Sequence, residues 1–370
     1  MPDMRFAPPN PIRIADRSTG LNALSVRSYN ERLVLSLLLQ SDIITRLEIG
    51  EKTGLSAQTV SVIIRSLEQE GLVTRGELQR GRVGPPTTPL LLNPEGAYSI
   101  GISIGYRNTH IVVVDFVGNV RHHDTLLHSA PGQVEPPSSL TDAVKVAIAG
   151  LGADFGSRIA GIGLAVPSLP AAANSLGGQS QNDYDALRYH LELAFKLPVF
   201  VQNDITAAAG GEVLFGAAKQ LTDFLFFYLG ARLHSRLILN HQIYNGNSPL
   251  SFDVGVLELE NALSRDRDGQ KQLWAHDGHW PDLGGALEPW QAKCAETLVQ
   301  SVKSLAQFVD IKTVVLSSFA PLEIRENLCR AIESQLPSIR SLVGRTSPAS
   351  KAVGAAALPF SSRFMVDSIR

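Results

Sequence analysis

The span from Thr45 to Val73 constrains this chain more than any other, because it sets two helix starts and two helix stops close together. Ser56 is placed as an N-cap, since its hydroxyl can accept from a first-turn amide. Val60, Ile63, Ile64 and Leu67 follow at i, i+3, i+4 and i+7, which predicts one buried helical face. Gly71 supplies the stop, and Gln58, Ser61 and Arg65 lie on the opposite face. Upstream, Thr45 and Glu48 have capping-box spacing and open a shorter helix that stops at Gly54. Only Leu55 then separates it from Ser56. Gly50 inside that helix costs about 1 kcal/mol against Ala unless a neighbouring helix approaches closely there. Further upstream, Asn30 is the expected cap of another helix, with Val34, Leu37 and Leu38 as its apolar stripe. Three short helices with a tight turn between the last two form a helix-turn-helix, whose second member enters the DNA major groove. Taken singly, each is also an ordinary surface helix with a solvated face.

The segment TRGELQRGRVGPPTTPLLLN follows, two β-prone runs around a Gly- and Arg-containing tip. Arg75, Arg80 and Arg82 stand there with only Glu77 opposing them. A basic hairpin behind a recognition helix reads as a wing that reaches phosphates or the minor groove; the alternative is a solvated loop with stray arginines. The candidate DNA contacts are therefore Ser56, Gln58, Thr59, Ser61 and Arg65 on the helix, with Arg75, Arg80 and Arg82 on the wing. Gln suits adenine and Arg suits guanine.

Charge supports this only locally. The whole chain has a formal net charge of −2 over 370 residues. Residues 43–84 hold six basic and five acidic side chains, a net of +1. Two copies in a dimer would double that patch. The length allows two or three domains, and 44% hydrophobic with 18% charged residues describes a globular protein, not a disordered one. Cys294 and Cys329 have neither metal-ligand nor disulfide spacing and are expected as buried thiols in a reducing cytoplasm. No long apolar run or signal core is present, so neither membrane nor export is expected. The Pro-rich start, to about Gly20, reads as a loose arm.

From Ala97 the pattern changes. AYSIGISIG and THIVVVDFVGNVR read as a hairpin of two strands. SSLTDAVKVAIAGLGADF then reads as a helix, RIAGIGLAVP as a strand, ALRYHLELAFKL as a helix and PVFVQND as a strand. ITAAAGGEVLFGAAK is a small-residue helix, and DFLFFYLG, SRLILN and QIYNG suggest a second meander. PWQAKCAETLVQSVKSLAQFVD is the longest helix, with Leu298, Val299, Val302, Leu305, Ala306 and Val309 on one face, and KTVVLSS is a buried strand. Mixed sheets flanked by helices, repeated twice, make a two-lobed α/β domain with a ligand cleft between the lobes.

Asn30-Glu31-Arg32-Leu33 and Thr53-Gly54-Leu55-Ser56-Ala57-Gln58-Thr59-Val60-Ser61 resemble the helix-turn-helix of ROK-family regulators. GRVGPPTTPLLLNPEGAYSIGISIG resembles their passage from wing to domain. VDFVGNV, GIGLAVP, LPVFVQNDITAAAGGEVLFG and KAVGAAALPF resemble the ROK sugar-kinase domain. The resemblance runs from about Arg27 to Pro359 and is poor from about Ala231 to Gly285. It implies an α/β protein: an arm over 1–25, a winged helix-turn-helix over 26–93, and a two-lobed actin-like ATPase (ribonuclease H-like) domain over 94–370. The implied function is a DNA-binding regulator, a repressor of carbohydrate-related genes.

Three departures weaken a kinase reading. The acidic, glycine-rich phosphate loop of ROK kinases here reads Ser103-Ile104-Gly105-Tyr106-Arg107-Asn108-Thr109, without the acid that would help hold Mg²⁺. The second glycine loop reads Gly230-Ala231-Arg232-Leu233-His234-Ser235-Arg236, where side chains would occupy phosphate space. The sugar and zinc segment reads Phe252-Asp253-Val254-Gly255-Val256, in which Asp253 can accept sugar hydroxyls but Val256 cannot bind zinc. His276 and His279 are too few ligands for a metal site. Asn203-Asp204 survives. In ROK kinases that Asp is the general base and the Asn binds a neighbouring hydroxyl; without phosphate loops Asp204 would serve as a hydrogen-bond acceptor, or merely as the N-cap of the following helix. The candidate ligand contacts are Asn203, Asp204, Asp253 and Ser168. No catalytic residue, metal or cofactor is expected. The expected partners are a double-stranded DNA operator, a small sugar effector and a second copy, as dimer or tetramer. The rivals are a regulator whose second part is only a dimerisation scaffold and an active sugar kinase with an added DNA-binding domain.

Overall fold

The computed structural model describes residues 29–41, 43–77, 88–105, 108–129, 135–152, 156–167, 181–230, 233–244, 285, 287–346 and 349–366. Helices α1 (Tyr29–Ser41), α2 (Arg46–Thr53) and α3 (Ala57–Gln69) come first. Their ends follow the sequence. The Thr45 hydroxyl accepts from the Glu48 amide, and the Glu48 carboxylate accepts from the Thr45 amide in return. Ser56 accepts from the Thr59 amide at 3.2 Å. At the far end of α3, Leu72 N donates to Leu67 O and Gly71 N to Glu68 O, a complete Schellman stop. It requires Gly71 at φ +74°, which favours glycine. The stripe is as expected: Val60, Ile63, Ile64 and Leu67 are buried.

Two details of α1 differ from expectation. Asn30 is its second residue, not its cap, since the helix already includes Tyr29. All of Leu33–Leu39 is buried, not one stripe, because a second structural unit covers the other side. Strands β1 (Val73–Arg75) and β2 (Leu90–Leu92) pair antiparallel as the base of the wing. Ile44 bridges to Leu90 and adds a third short rung.

The larger part holds two five-stranded sheets. In the first, β3 (Tyr98–Ile104), β4 (Asn108–Asp115) and β5 (Val120–Leu127) form an antiparallel meander. β6 (Ile159–Val166) and β7 (Val199–Asn203) extend it in parallel. The run THIVVVDFVGNVR is thus not one strand. It folds back because the buried Asp115 carboxylate accepts from the Val117 and Asn119 amides at 3.1 and 2.9 Å and fixes a turn. The second sheet repeats the plan: β8 (Phe224–Leu229), β9 (Leu233–Leu239) and β10 (Gln242–Ile243) meander, and β11 (Thr313–Ser318) and β12 (Arg340–Val343) lie parallel. Helices α4 (Pro137–Ala149) and α5 (Gln181–Phe195) pack on the first lobe. Helices α7 (Leu287–Ala306) and α8 (Leu322–Gln335) pack on the second. Of the expected long helix, the last turn to Asp310 is absent and the chain already turns at Gln307.

Two helices join the lobes: α6 (Asp204–Leu214), leaving β7 for β8, and α9 (Ser350–Phe364), returning from β12 to lie on β3 and β6. They cross where both carry small residues. A Cβ on Gly354 would overlap the Ala207 carbonyl, and a Cβ on Gly163 of β6 would overlap the Ala355 carbonyl. Backbone thus lies on backbone. Pro359 has no N–H to give that same Ala355 carbonyl, which instead faces the strand.

Candidate functional site

The first site is the exposed side of α3. Gln58, Val62 and Arg65 stand at i, i+4 and i+7 and are exposed, Val62 by 62%. Ser61 is half-buried and donates its hydroxyl to Ala57 O at 2.8 Å, so that hydroxyl is turned along its own helix. Ser56 and Thr59 hydroxyls bond each other at 2.9 Å at the helix start. Arg75 projects from β1 toward α3 and forms a two-point ion pair with Glu68, at 2.6 and 3.1 Å. Hydrogen bonding from Arg75 holds the Glu68 carboxyl below its ordinary value. Arg46 lies 4.0 Å from the same carboxylate. Arg80 and Arg82 fall outside the described residues. Sequence periodicity did not single out Val62, because an apolar residue counts toward the buried stripe by default.

The second site is the junction between the lobes, where β7 ends and α6 begins. Asn203, not Asp204, is the N-cap: its side-chain oxygen accepts from the Ile205 and Thr206 amides, both at 3.1 Å. Asp204 is the first helical residue and is 6% exposed. Its Oδ1 accepts from the Ile205 amide at 2.8 Å, and its Oδ2 from Lys351 Nζ at 2.5 Å. Lys351 comes from the first turn of α9, and its ammonium also lies 4.7 Å from the centre of the Tyr228 ring. Burial pulls the Lys351 pKa down, but Asp204 and Tyr228 outweigh it and the net shift is upward. Tyr184 of α5 borders the same carboxylate; burial first, then Asp204, raises its phenol to about 12.

Arg236 of β9 closes the other side. It is 4% exposed, donates to Asn203 Oδ1 at 2.5 Å and to Thr206 Oγ1 at 2.8 Å. At the end of the segment aligned with the second glycine loop, a guanidinium is thus fastened to the start of α6. At the first loop, Gly105 N donates to Asn108 O at 2.8 Å, so the hairpin spends that amide on itself. Ser103 is buried in β3. Its partner across the ladder, His110, bonds Thr125 Oγ1 at 3.1 Å and His123 Nε2 at 3.2 Å. Burial, then His123 and Lys351, pushes the His110 imidazole down to about 4. Ser168, Asp253, His276 and His279 lie outside the described residues. Among the described residues no group of three or more His, Cys, Asp or Glu is arranged to hold a metal, and no helix is long and apolar enough to cross a membrane.

Residues 99–271 match the ROK family, and residues 27–74 match a winged helix-turn-helix DNA-binding family. The chain thus carries a ROK family domain behind an N-terminal winged helix-turn-helix. The xylose repressor of Bacillus spizizenii is 27% identical over 348 residues, covering 86% of this chain and 87% of its own. Among solved structures, a ROK family transcriptional regulator homologous to the E. coli MLC protein superposes with a TM-score of 0.63 at 15% identity. It covers 90% of this chain and 97% of its own. The ROK hexokinase of Thermus thermophilus superposes with a TM-score of 0.50 at 21% identity, over 70% of this chain and 97% of its own. The family's fold of two lobes thus extends here from a kinase-like body to one with a DNA-binding head. Lys351, which pairs with Asp204 as Arg236 does with Asn203 and Thr206, is not recognisable from the sequence as part of the site. A single Lys inside KAVGAAALPF has no spacing that points across the fold to Asp204.

Proposed function

We propose that this chain is a repressor that binds a DNA operator through α3 and the wing and senses a sugar in the inter-lobe cleft. The observation that carries the first half is the exposed row of Gln58, Val62 and Arg65 on a helix whose other face is wholly buried. Arg65 and Gln58 have the donors that base edges need, and Val62 offers an apolar surface to a thymine methyl. Ser56, Thr59, Arg75, Arg80 and Arg82 contact phosphates. The xylose repressors among its relatives support a sugar effector and negative control. Asp204 accepts sugar hydroxyls, with Ser168 and Asp253 as further contacts; Asn203 helps through the helix start it caps. The protein works in the cytoplasm as a dimer, which presents two heads to two half-sites.

No phosphoryl transfer is part of this function. The first loop's amide is used within its hairpin, and Arg236 stands in the segment where ROK kinases carry their second glycine loop, so no phosphate donor is held beside Asp204. Incubation with ATP, Mg²⁺ and a sugar panel should form no ADP above the protein-free rate; sugar-dependent ADP would refute this. The Lys351–Asp204 pair favours one other reading, in which the cleft is permanently filled and the ROK domain only dimerises. Saturable thermal stabilisation by any sugar of a panel including xylose rejects that reading. The primary test is selection of genomic fragments by the purified protein at two salt concentrations, with and without sugars. Retention of a palindromic fragment and its release by one sugar are expected. Equal, salt-sensitive retention of every fragment would reduce the activity to non-specific binding.

A further inference from the structure

Helix α9 runs from the second candidate site to the DNA-binding head. Its first turn carries Lys351, whose ammonium sits 2.5 Å from Asp204 Oδ2 at the junction between the lobes. Its last residues meet the DNA-binding head. The Met365 carbonyl accepts from both Nε and Nη2 of Arg32 in α1, the former at 2.6 Å. The Val366 amide donates to Ser36 Oγ of α1 at 2.9 Å. Phe360, Phe364 and Met365 share one apolar cluster with Val34, Leu35 and Leu38 of α1 and with Ile63 and Ile64 of α3. Arg32 also places a cation at the negative end of α9, where the last carbonyls need donors. Fifteen residues at about 1.5 Å each make a rod about 22 Å long.

Where the rod crosses α6, small residues face small residues. It crosses α6 with Gly354 against Ala207, and Gly211 against Gly354, where a Cβ on Gly211 would come 2.8 Å from the Gly354 Cα. Small residues on both sides leave no interlocking side chains at the crossing, which is the geometry of shear between packed helices. The lobes meet at this crossing, and the Lys351–Asp204 pair pins it at the positive ends of both helices.

We propose that Lys351 is a built-in stand-in for the effector, and that α9 carries its displacement from the cleft to the DNA-binding head. A ligand hydroxyl that takes Asp204 Oδ2 removes the only ion pair between the first turns of α6 and α9 among the described residues. The crossing then relaxes, α9 shifts along α6, and Met365 and Val366 carry α1 with them. The paired state is the operator-binding state. The inference rests on the proposed reading of the cleft as an effector site, but its test needs no effector.

The test is a double-mutant cycle on the full chain, with the selected operator fragment at fixed salt and no sugar. Lys351→Met should weaken operator binding about tenfold, within the 5- to 150-fold span typical of coupling between sites. Lys351→Arg should stay within about twofold of wild type. Arg32→Ala cuts the far end of the rod, so in that background Lys351→Met should cost about threefold or less. Asp204→Asn keeps the shape and removes the charge pair, and should reproduce the Lys351→Met loss; it stands in for that variant if the latter fails to fold. Operator affinity unchanged in both Lys351→Met and Asp204→Asn overturns the proposal. Penalties at Lys351 and Arg32 that simply multiply overturn the role of α9. A wild-type chain that selects no fragment would instead sink the DNA-binding reading itself.

Discussion

Arg75 is held by Glu68 of the helix it flanks, at 2.6 and 3.1 Å, whereas Arg65 stands exposed on the row with Gln58 and Val62. The two arginines are therefore not equal. Replacing Arg65 by Ala should cost about 1–3 kcal/mol of operator binding and relax specificity at one base pair. Replacing Arg75 should cost less, because Glu68 already neutralises part of its charge, and should act alike on all sequences. Titrations of both variants against operator and random duplexes decide it; equal, sequence-selective losses would contradict the assignment. A second residue-scale expectation concerns His110, whose pKa is pushed down to about 4 by burial, His123 and Lys351. A folded-state pKa below the unfolded one means that unfolding takes up a proton between about pH 6.5 and 4. Stability should thus fall as pH drops through that window, with this residue contributing at most about 1.4 kcal/mol per pH unit. Melting temperatures of wild type and His110→Gln should converge toward pH 7.5 and diverge in slope below 6.5. Identical slopes would show that His110 is protonated without strain.

Glycines on two helices predict opposite outcomes for the same substitution. Gly50 sits inside α2 with only the Leu55 carbonyl near, at 3.4 Å from where a Cβ would stand, so no neighbouring helix demands it. Gly50→Ala should stabilise the head by up to about 1 kcal/mol through helix propensity. Gly354 of α9 lies against the Ala207 backbone. Gly354→Ala should destabilise by about 3 kcal/mol or more, since rigid backbone on both sides cannot yield. Urea midpoints test both, and the same sign for the two would refute the packing argument. The contrast marks what was legible. Capping residues act on neighbours within four positions, so Thr45, Glu48, Ser56 and Gly71 announced their helix ends directly. ITAAAGG was visible as a small-residue helix and KAVGAAAL only as a family-like run; uniform smallness has no apolar stripe, and nothing in either says that the other is its partner. The turn at Asp115 was hidden for a different reason. Its apolar flanks read as one strand, and only the carboxylate's two backbone bonds reveal the bend. Likewise the cleft pair was half legible: Asn203 and Asp204 stood out, but Lys351 lies 147 positions away, beyond any local pattern.

At the scale of the molecule, the head is fastened to the body and not tethered to it. Asn93 at the junction donates its amide to Leu72 O and its side chain to Gly71 O, at 2.9 and 2.7 Å. Phe116 N reaches Pro94 O at 3.0 Å, and Arg158 reaches Glu95 O at 2.8 Å, so the connecting residues are bonded from both lobe strands and wing. Phe116, Phe360 and Phe364 complete one core with α1. Ordering a connection so fully removes the freedom by which a flexible linker tolerates variable spacing. In a dimer the distance and rotation between the two recognition helices are then fixed by the bodies, which is also what allows a change at the cleft to matter at the operator. The formal net charge of −2 offers no general attraction to DNA, so the proposed dimer makes affinity depend on both heads engaging at once. An operator lengthened by about 5 base pairs between half-sites turns the second site to the opposite face of the duplex. Binding should fall at least tenfold, toward that of a single half-site, while an insertion of about 10 base pairs should restore the facing but not the distance and recover binding only in part. Equal affinity for all three spacings would mean that the heads move independently of the bodies, and then neither α9 nor the cleft could set their separation.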